Sequence, residues 1–195
     1  MMGNLNLKQL VPEIGIKHFN KNCGVFIHAK DMLDDSWYDI DWDVYLPSYG
    51  FNLQRPFVWT VEQNRELIMS ILRENFIPKI SVIQINYTDL GKRTKTKLQI
   101  IDGKQRLNAI RNFILGKFGI IFEGKEYFID DFDSYAQRMV KFYYIPGDIA
   151  YSYEPDEAIT DRQKLEWFNR INFSGTIQDK SHMNRIKEIL TNETR

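Results

Sequence analysis

Leu98-Gln99-Ile100-Ile101-Asp102-Gly103-Lys104-Gln105-Arg106-Leu107 is the stretch on which the fold turns. A short apolar run ends at a tight Asp-Gly turn. Leu107, Ile110 and Ile114 then recur along one helical face. The spacing predicts a strand that passes directly into an amphipathic helix, with Gly116 as the helix stop. Upstream, Ile80-Ser81-Val82-Ile83-Gln84-Ile85-Asn86-Tyr87 alternates and is rich in branched residues, so it reads as a strand. The polar, basic segment Gly91-Lys92-Arg93-Thr94-Lys95-Thr96-Lys97 reads as the turn that brings Leu98 to Ile101 back as its partner.

Further out, Thr60-Val61-Glu62-Gln63 is a capping-box pattern. It opens a helix carrying Leu67, Ile68, Ile71 and Leu72, which stops before Pro78. Ile120 to Phe122 and Tyr127 to Ile129 flank Glu123-Gly124 as a hairpin. Phe142 to Ile145 reads as a strand ended by Pro146-Gly147. Thr160-Asp161-Arg162-Gln163 opens a helix with Leu165, Phe168 and Ile171 inward. A break at Asn172-Phe173-Ser174-Gly175-Thr176 leads to a last helix with Met183, Ile186 and Ile189 or Leu190 on one face. Strands interleaved with helices predict an α+β fold: a small mixed β-sheet with flanking helices, plus C-terminal helices. Residues 1–43 read as an N-terminal extension and residues 44–195 as the folded domain. Within the extension, the acidic, aromatic stretch from Asp31 to Asp43 reads as an irregular segment that packs its aromatics and solvates its carboxylates.

The chain has 195 residues, enough for one compact domain with a substantial core. Its 26 basic and 26 acidic residues balance. That neutrality argues against a dedicated non-specific DNA binder, which carries a basic surplus, but leaves room for a local basic groove. Cys23 is the only cysteine, so neither an internal disulfide nor a cysteine zinc cluster can form. No signal-peptide layout and no membrane-length apolar run is present, so a soluble, cytoplasmic protein is expected. His18, His28 and His182 lack metal-ligand spacing, and Asp130, Asp131 and Asp133 read as a solvated turn and helix start. No metal site is expected from these side chains.

Three segments can carry chemistry. In Asp102-Gly103-Lys104-Gln105-Arg106 the helix start offers free backbone N–H groups to an anion. Gly103 permits an unusual backbone angle or a close approach. Lys104 can neutralise a phosphate, and Arg106 can grip one through two parallel bonds. Asp102 can cap the helix, hold a metal or position a water. In Gln54-Arg55-Pro56-Phe57-Val58-Trp59, Pro56 keeps Arg55 on extended backbone. There Arg55 can clamp a phosphate while Trp59 stacks on a base, or Phe57 and Trp59 can simply anchor the core. In Asn172-Phe173-Ser174-Gly175-Thr176, amide, hydroxyl and glycine offer donors to an anion, or form an ordinary helix–helix turn.

The ordered trio resembles the N-terminal domain of GmrSD-type restriction endonucleases, a family related to the ParB and sulfiredoxin-like superfamily. The likeness covers roughly residues 44 to 190. It rests on Gln54-Arg55-Pro56-Phe57-Val58-Trp59, on Asp102-Gly103-Lys104-Gln105-Arg106 in place of an Asp-Gly-Gln-Gln-Arg motif, and on Ile171-Asn172-Phe173-Ser174-Gly175-Thr176. The resemblance implies nucleotide binding and hydrolysis, linked to defence against phage with modified DNA. It implies Gln54, Arg55, Asp102, Gly103, Gln105 and Arg106 as site residues, with Asn172, Ser174, Gly175 and Thr176 as a second wall. Asp102, Gln105 and Arg106 would be the catalytic members; Gln54, Arg55, Trp59, Gly103 and Lys104 would hold the nucleotide. Mg²⁺ is the cofactor such a site would take. Lys104 stands where the family has Gln, which adds a charge to the pocket. No histidine-metal nuclease pattern is present, so DNA cleavage by this chain alone is not expected. Two other functions compete with an NTP-binding domain. One is a ParB-like DNA binder or nuclease-like protein using Lys92, Arg93, Lys95 and Lys97. The other is a non-catalytic regulator that docks on a partner protein.

Overall fold

The computed structural model describes residues 5–6, 27–28, 38–89, 93–150, 158–173 and 180–192. In chain order its strands are β1 (Ile27–His28), β2 (Tyr38–Asp41), β3 (Tyr45–Leu46), β4 (Phe51–Asn52), β5 (Ile80–Asp89), β6 (Arg93–Asp102), β7 (Ile120–Phe122), β8 (Lys125–Tyr127), β9 (Tyr144–Ile145) and β10 (Gly147–Ala150). Its α-helices are α1 (Val61–Leu72), α2 (Lys104–Ile114), α3 (Ser134–Lys141), α4 (Asp161–Phe173) and α5 (Lys180–Asn192).

The central sheet has the order β10-β5-β6-β2. β5 and β6 are antiparallel, and each outer strand runs parallel to its neighbour. This is the mixed sheet of an α+β fold, as expected. Side chains alternate between the two faces of a strand. Ile80, Val82, Leu98 and Ile100 enter one core with α1, α2 and α3, whereas Ile83 and Ile101 enter a second core with Val44, Leu46, Leu53 and residues of α4 and α5. The consecutive apolar pairs Val82-Ile83 and Ile100-Ile101 therefore mark strands covered on both faces. Each fully buried Leu, Ile or Phe contributes roughly 1.5–3 kcal/mol relative to exposure. Stripping either helical layer would expose several of them at once.

The local signals act as anticipated at the start of α1 and the end of α2. Thr60 and Gln63 form the reciprocal capping box at the start of α1. Gly116, at φ 67°, ends α2 with Lys117 N bonded to Asn112 O and Gly116 N to Phe113 O. Thr160 and Gln163 form the second box. Asp133 caps α3 by accepting from Ala136 N at 2.7 Å, and Asp131 accepts from Phe128 N at 2.8 Å. In α4, Leu165 and Phe168 are fully buried, and Ile186 of α5 joins them. The side chain of Met183 lies outside the described residues.

Two readings are corrected. Asp31 to Asp43 is not irregular throughout: Tyr38–Asp41 is an edge strand paired with Thr96 to Gln99. Tyr38 and Ile40 pack on the first core, and Asp41 bonds to Gln99 Nε2 at 3.0 Å on the other face. The basic run is not a turn over its whole length, because β6 begins at Arg93. Pro146-Gly147 does end β9, as expected, and the chain resumes at once as a strand of the central sheet. Pro146 lacks a donor, but its carbonyl accepts from Ile80 N at 2.9 Å, and Gly147 opens β10 alongside β5. Among the described residues no helix is long and apolar enough to cross a membrane.

Candidate functional site

Gly103 joins β6 to α2 at φ 98°, a backbone region that only glycine enters readily. A Cβ there would stand 2.4 Å from Ile80 Cγ2, and one on Gly147 would stand 2.8 Å from Ile80 Cγ1. Ile80 thus fills a hole walled by two glycines, which seats the start of α2 against β5 and β10. The open side of Gly103 meets Ile80, a packing contact.

No side chain caps α2. Its first amide with an intrahelical acceptor belongs to Leu107, bonded to Gly103 O at 3.0 Å. The amides of Lys104, Gln105 and Arg106 therefore point out of the helix end, where the helix dipole favours an anion. No acidic residue lies in that first turn.

The side chains of the turn reach back to the protein. Arg106 donates to Pro78 O at 3.0 Å, Lys79 O at 3.1 Å and Asp102 Oδ2 at 2.6 Å. Gln105 Oε1 accepts from Val58 N at 3.0 Å and Trp59 N at 3.3 Å, and its Nε2 donates to Pro56 O at 2.9 Å. Gln54, buried, donates through Nε2 to Ile100 O at 2.9 Å and Ile101 O at 2.6 Å. Lys104 is 3% exposed; its Nζ bonds to Asp43 Oδ1 at 2.5 Å and lies 4.6 Å from the centre of the Phe57 ring. These bonds strap two loops, residues 54–59 and 78–79, onto the first turn of α2.

Arg55 is the exception. It is half-buried between Gln54, fixed to the end of β6, and Pro56, fixed by Gln105. Its guanidinium has no hydrogen-bond or ion-pair partner among the described residues, so it is the uncommitted cation at this turn.

The structure brings Gln54, Arg55, Trp59 and Asp102 to Arg106 together. Trp59 is half-buried against the first core, whereas Phe57 beside it is exposed. Asn172 lies in the last turn of α4, donating to Phe168 O at 2.8 Å, and α4 packs against β6. Ser174, Gly175 and Thr176 lie outside the described residues. Sequence reasoning missed Asp43. A signal was present: Lys104 stands three positions before Leu107, on the apolar face of its helix, where a buried lysine calls for a carboxylate, and an acidic stretch ends at Asp43.

Asp43 is held by its neighbours. Asp41 Oδ1 accepts from Val44 N at 2.9 Å, and Val44 sits at φ 51°, a strained angle for a β-branched residue. Gln54 N then bonds to Asp43 O and Leu53 N to Val44 O. Burial raises the pKa of Asp41, but the bonds from Gln99 and Val44 and the charge of Lys97 outweigh it and hold the carboxyl below its usual value.

The family profile of the GmrSD restriction endonuclease N-terminal domain matches residues 30–193. The chain belongs to that family, which ties it to DNA restriction. Neither a curated protein nor a solved structure matches it.

Proposed function

We propose that this domain binds a nucleoside triphosphate by its phosphate chain at the start of α2. The observation that carries the reading is Arg55: a half-buried arginine whose guanidinium has no partner among the described residues, one position before Pro56, whose carbonyl is bonded by Gln105 in the first turn of α2, where three helix amides likewise have no acceptor among the described residues. A half-buried cation is unfavourable without an anion, and phosphate satisfies guanidinium and amides together. The family membership supports the same reading.

Within it, Gln54, Gln105 and Arg106 build the site by strapping its loops, and Arg55 meets the ligand. Asp102 is the group available to orient a water for hydrolysis. One of its oxygens is held by Arg106, and the other accepts no hydrogen bond among the described residues. A single carboxylate plus ligand phosphates is a donor set that suits Mg²⁺, so Asp102 is the residue that would hold it.

The test is a thermal-shift titration with ATP and GTP, with and without Mg²⁺. Wild type should gain about 2.7 kcal/mol of stability at a hundredfold excess over Kd. Arg55→Ala should lose that gain while its ligand-free Tm stays within ~2 °C of wild type. A wild type that no nucleotide stabilises, or an Arg55→Ala variant with undiminished stabilisation, overturns the assignment.

A further inference from the structure

The Lys104–Asp43 pair is lopsided. The lysine side chain is 3% exposed, while the aspartate side chain that neutralises it is 58% exposed. The cation is sunk in protein and the anion stands at the boundary with water. An ammonium has three donors. Here one goes to Asp43, and the Phe57 ring covers another approach. Lys104 is also the first residue of α2, and side chains at that position lean back towards the helix start. Its charge therefore adds to the positive field of the three amides that have no acceptor among the described residues. Asp43 pairs by its backbone with Gln54, next to Arg55. An anion approaching that field meets a carboxylate already seated on Lys104.

We propose that Asp43 is a resident counter-anion that competes with phosphate for Lys104 and so sets how tightly the site holds its ligand. The inference rests on the phosphate-binding reading above. A phosphate reaching Lys104 displaces the carboxylate into water, where most of that side chain already lies. A phosphate bound beside it meets like-charge repulsion. On either route the Asp43 carboxylate lowers anion affinity.

The experiment is calorimetric titration of inorganic tripolyphosphate, at fixed pH and low salt, into wild type, Asp43→Asn, Lys104→Gln and the double variant. Asp43→Asn should bind about tenfold tighter, a difference of ~1.4 kcal/mol, and should melt lower when ligand-free. Lys104→Gln leaves Asp43 unpaired beside the site and should bind about tenfold weaker. Adding Asp43→Asn to it should restore affinity to within about threefold of wild type. A folded Asp43→Asn protein with unchanged or weaker affinity reduces the pair to a structural contact and overturns the proposal. Should Asp43→Asn not fold, the comparison of Lys104→Gln with the double variant decides: equal affinities overturn it. Saturable binding by wild type with no change across the variants sinks this inference alone. No binding by any of the four proteins sinks the phosphate-binding reading with it.

Discussion

The side chains of Asp102 to Arg106 combine two duties that single substitutions can separate. Arg106→Ala removes three hydrogen bonds and strands Asp102, and should cost about 2–4 kcal/mol, seen as a lower Tm without any ligand. Arg55→Ala should leave Tm nearly unchanged and act on binding alone, which makes it the sharper probe of the site. Gly103→Ala should cost about 3 kcal/mol or more, because it adds backbone strain at φ 98° to a clash with Ile80. Chemical denaturation measures that loss. The residues of this turn stood out in the sequence as polar groups at a helix start. Their partners did not, because Pro78, Pro56 and Ile100 lie 28 to 49 positions away from the groups that bond them. A donor looks the same in a sequence whether it meets a ligand or a distant carbonyl.

Helices were the most legible elements because their ends are local. Both capping boxes and the Gly116 stop involve residues within a few positions of one another. Short strands were less so. β10 and β2 have four residues each, and what makes them strands is the neighbour they pair with. The end of α1 offers a prediction at this scale. Glu74 closes that helix at φ 55°, with Asn75 N bonded to Ser70 O and Glu74 N to Ile71 O. This is the geometry glycine serves at Gly116, here adopted by a residue that pays for its Cβ. Its carboxylate also sits at the negative end of the helix dipole. Glu74→Gly should stabilise the protein by about 0.5–1 kcal/mol, measurable as a higher denaturation midpoint with unchanged slope.

Across the whole molecule, two carboxylates fasten outer pieces to their neighbours. Asp41 holds β2 to β6 through Gln99, and Asp161 holds the β3–β4 hairpin to α4 through Ser48 N at 2.9 Å. In Asp161, as in Asp41, burial raises the pKa, and the bonds from Ser48 and the charge of Lys164 more than reverse it. Both folded pKa values lie below the unfolded value of 3.8. Their contribution is therefore complete above 3.8 and is lost as pH falls through the lower folded values. Stability followed by urea titration should be flat through neutral pH in this respect and fall below about pH 4. In Asp41→Asn that acid slope should be shallower. The two-sided covering of the sheet was readable in Ile100-Ile101. Which helices cover which face was not, since that depends on how the chain crosses over.

The straps on α2 have a practical consequence for genetics. Gln54, Gln105 and Arg106 spend their hydrogen bonds on the fold, so replacing any of them lowers the amount of native protein in a cell before it touches chemistry. A loss of ~1–2 kcal/mol can change abundance several-fold. An inactive mutant in this motif is therefore no sign of a catalytic residue unless the soluble protein is counted beside the phenotype. Arg55, which bonds no other group among the described residues, is where phenotype and function should coincide.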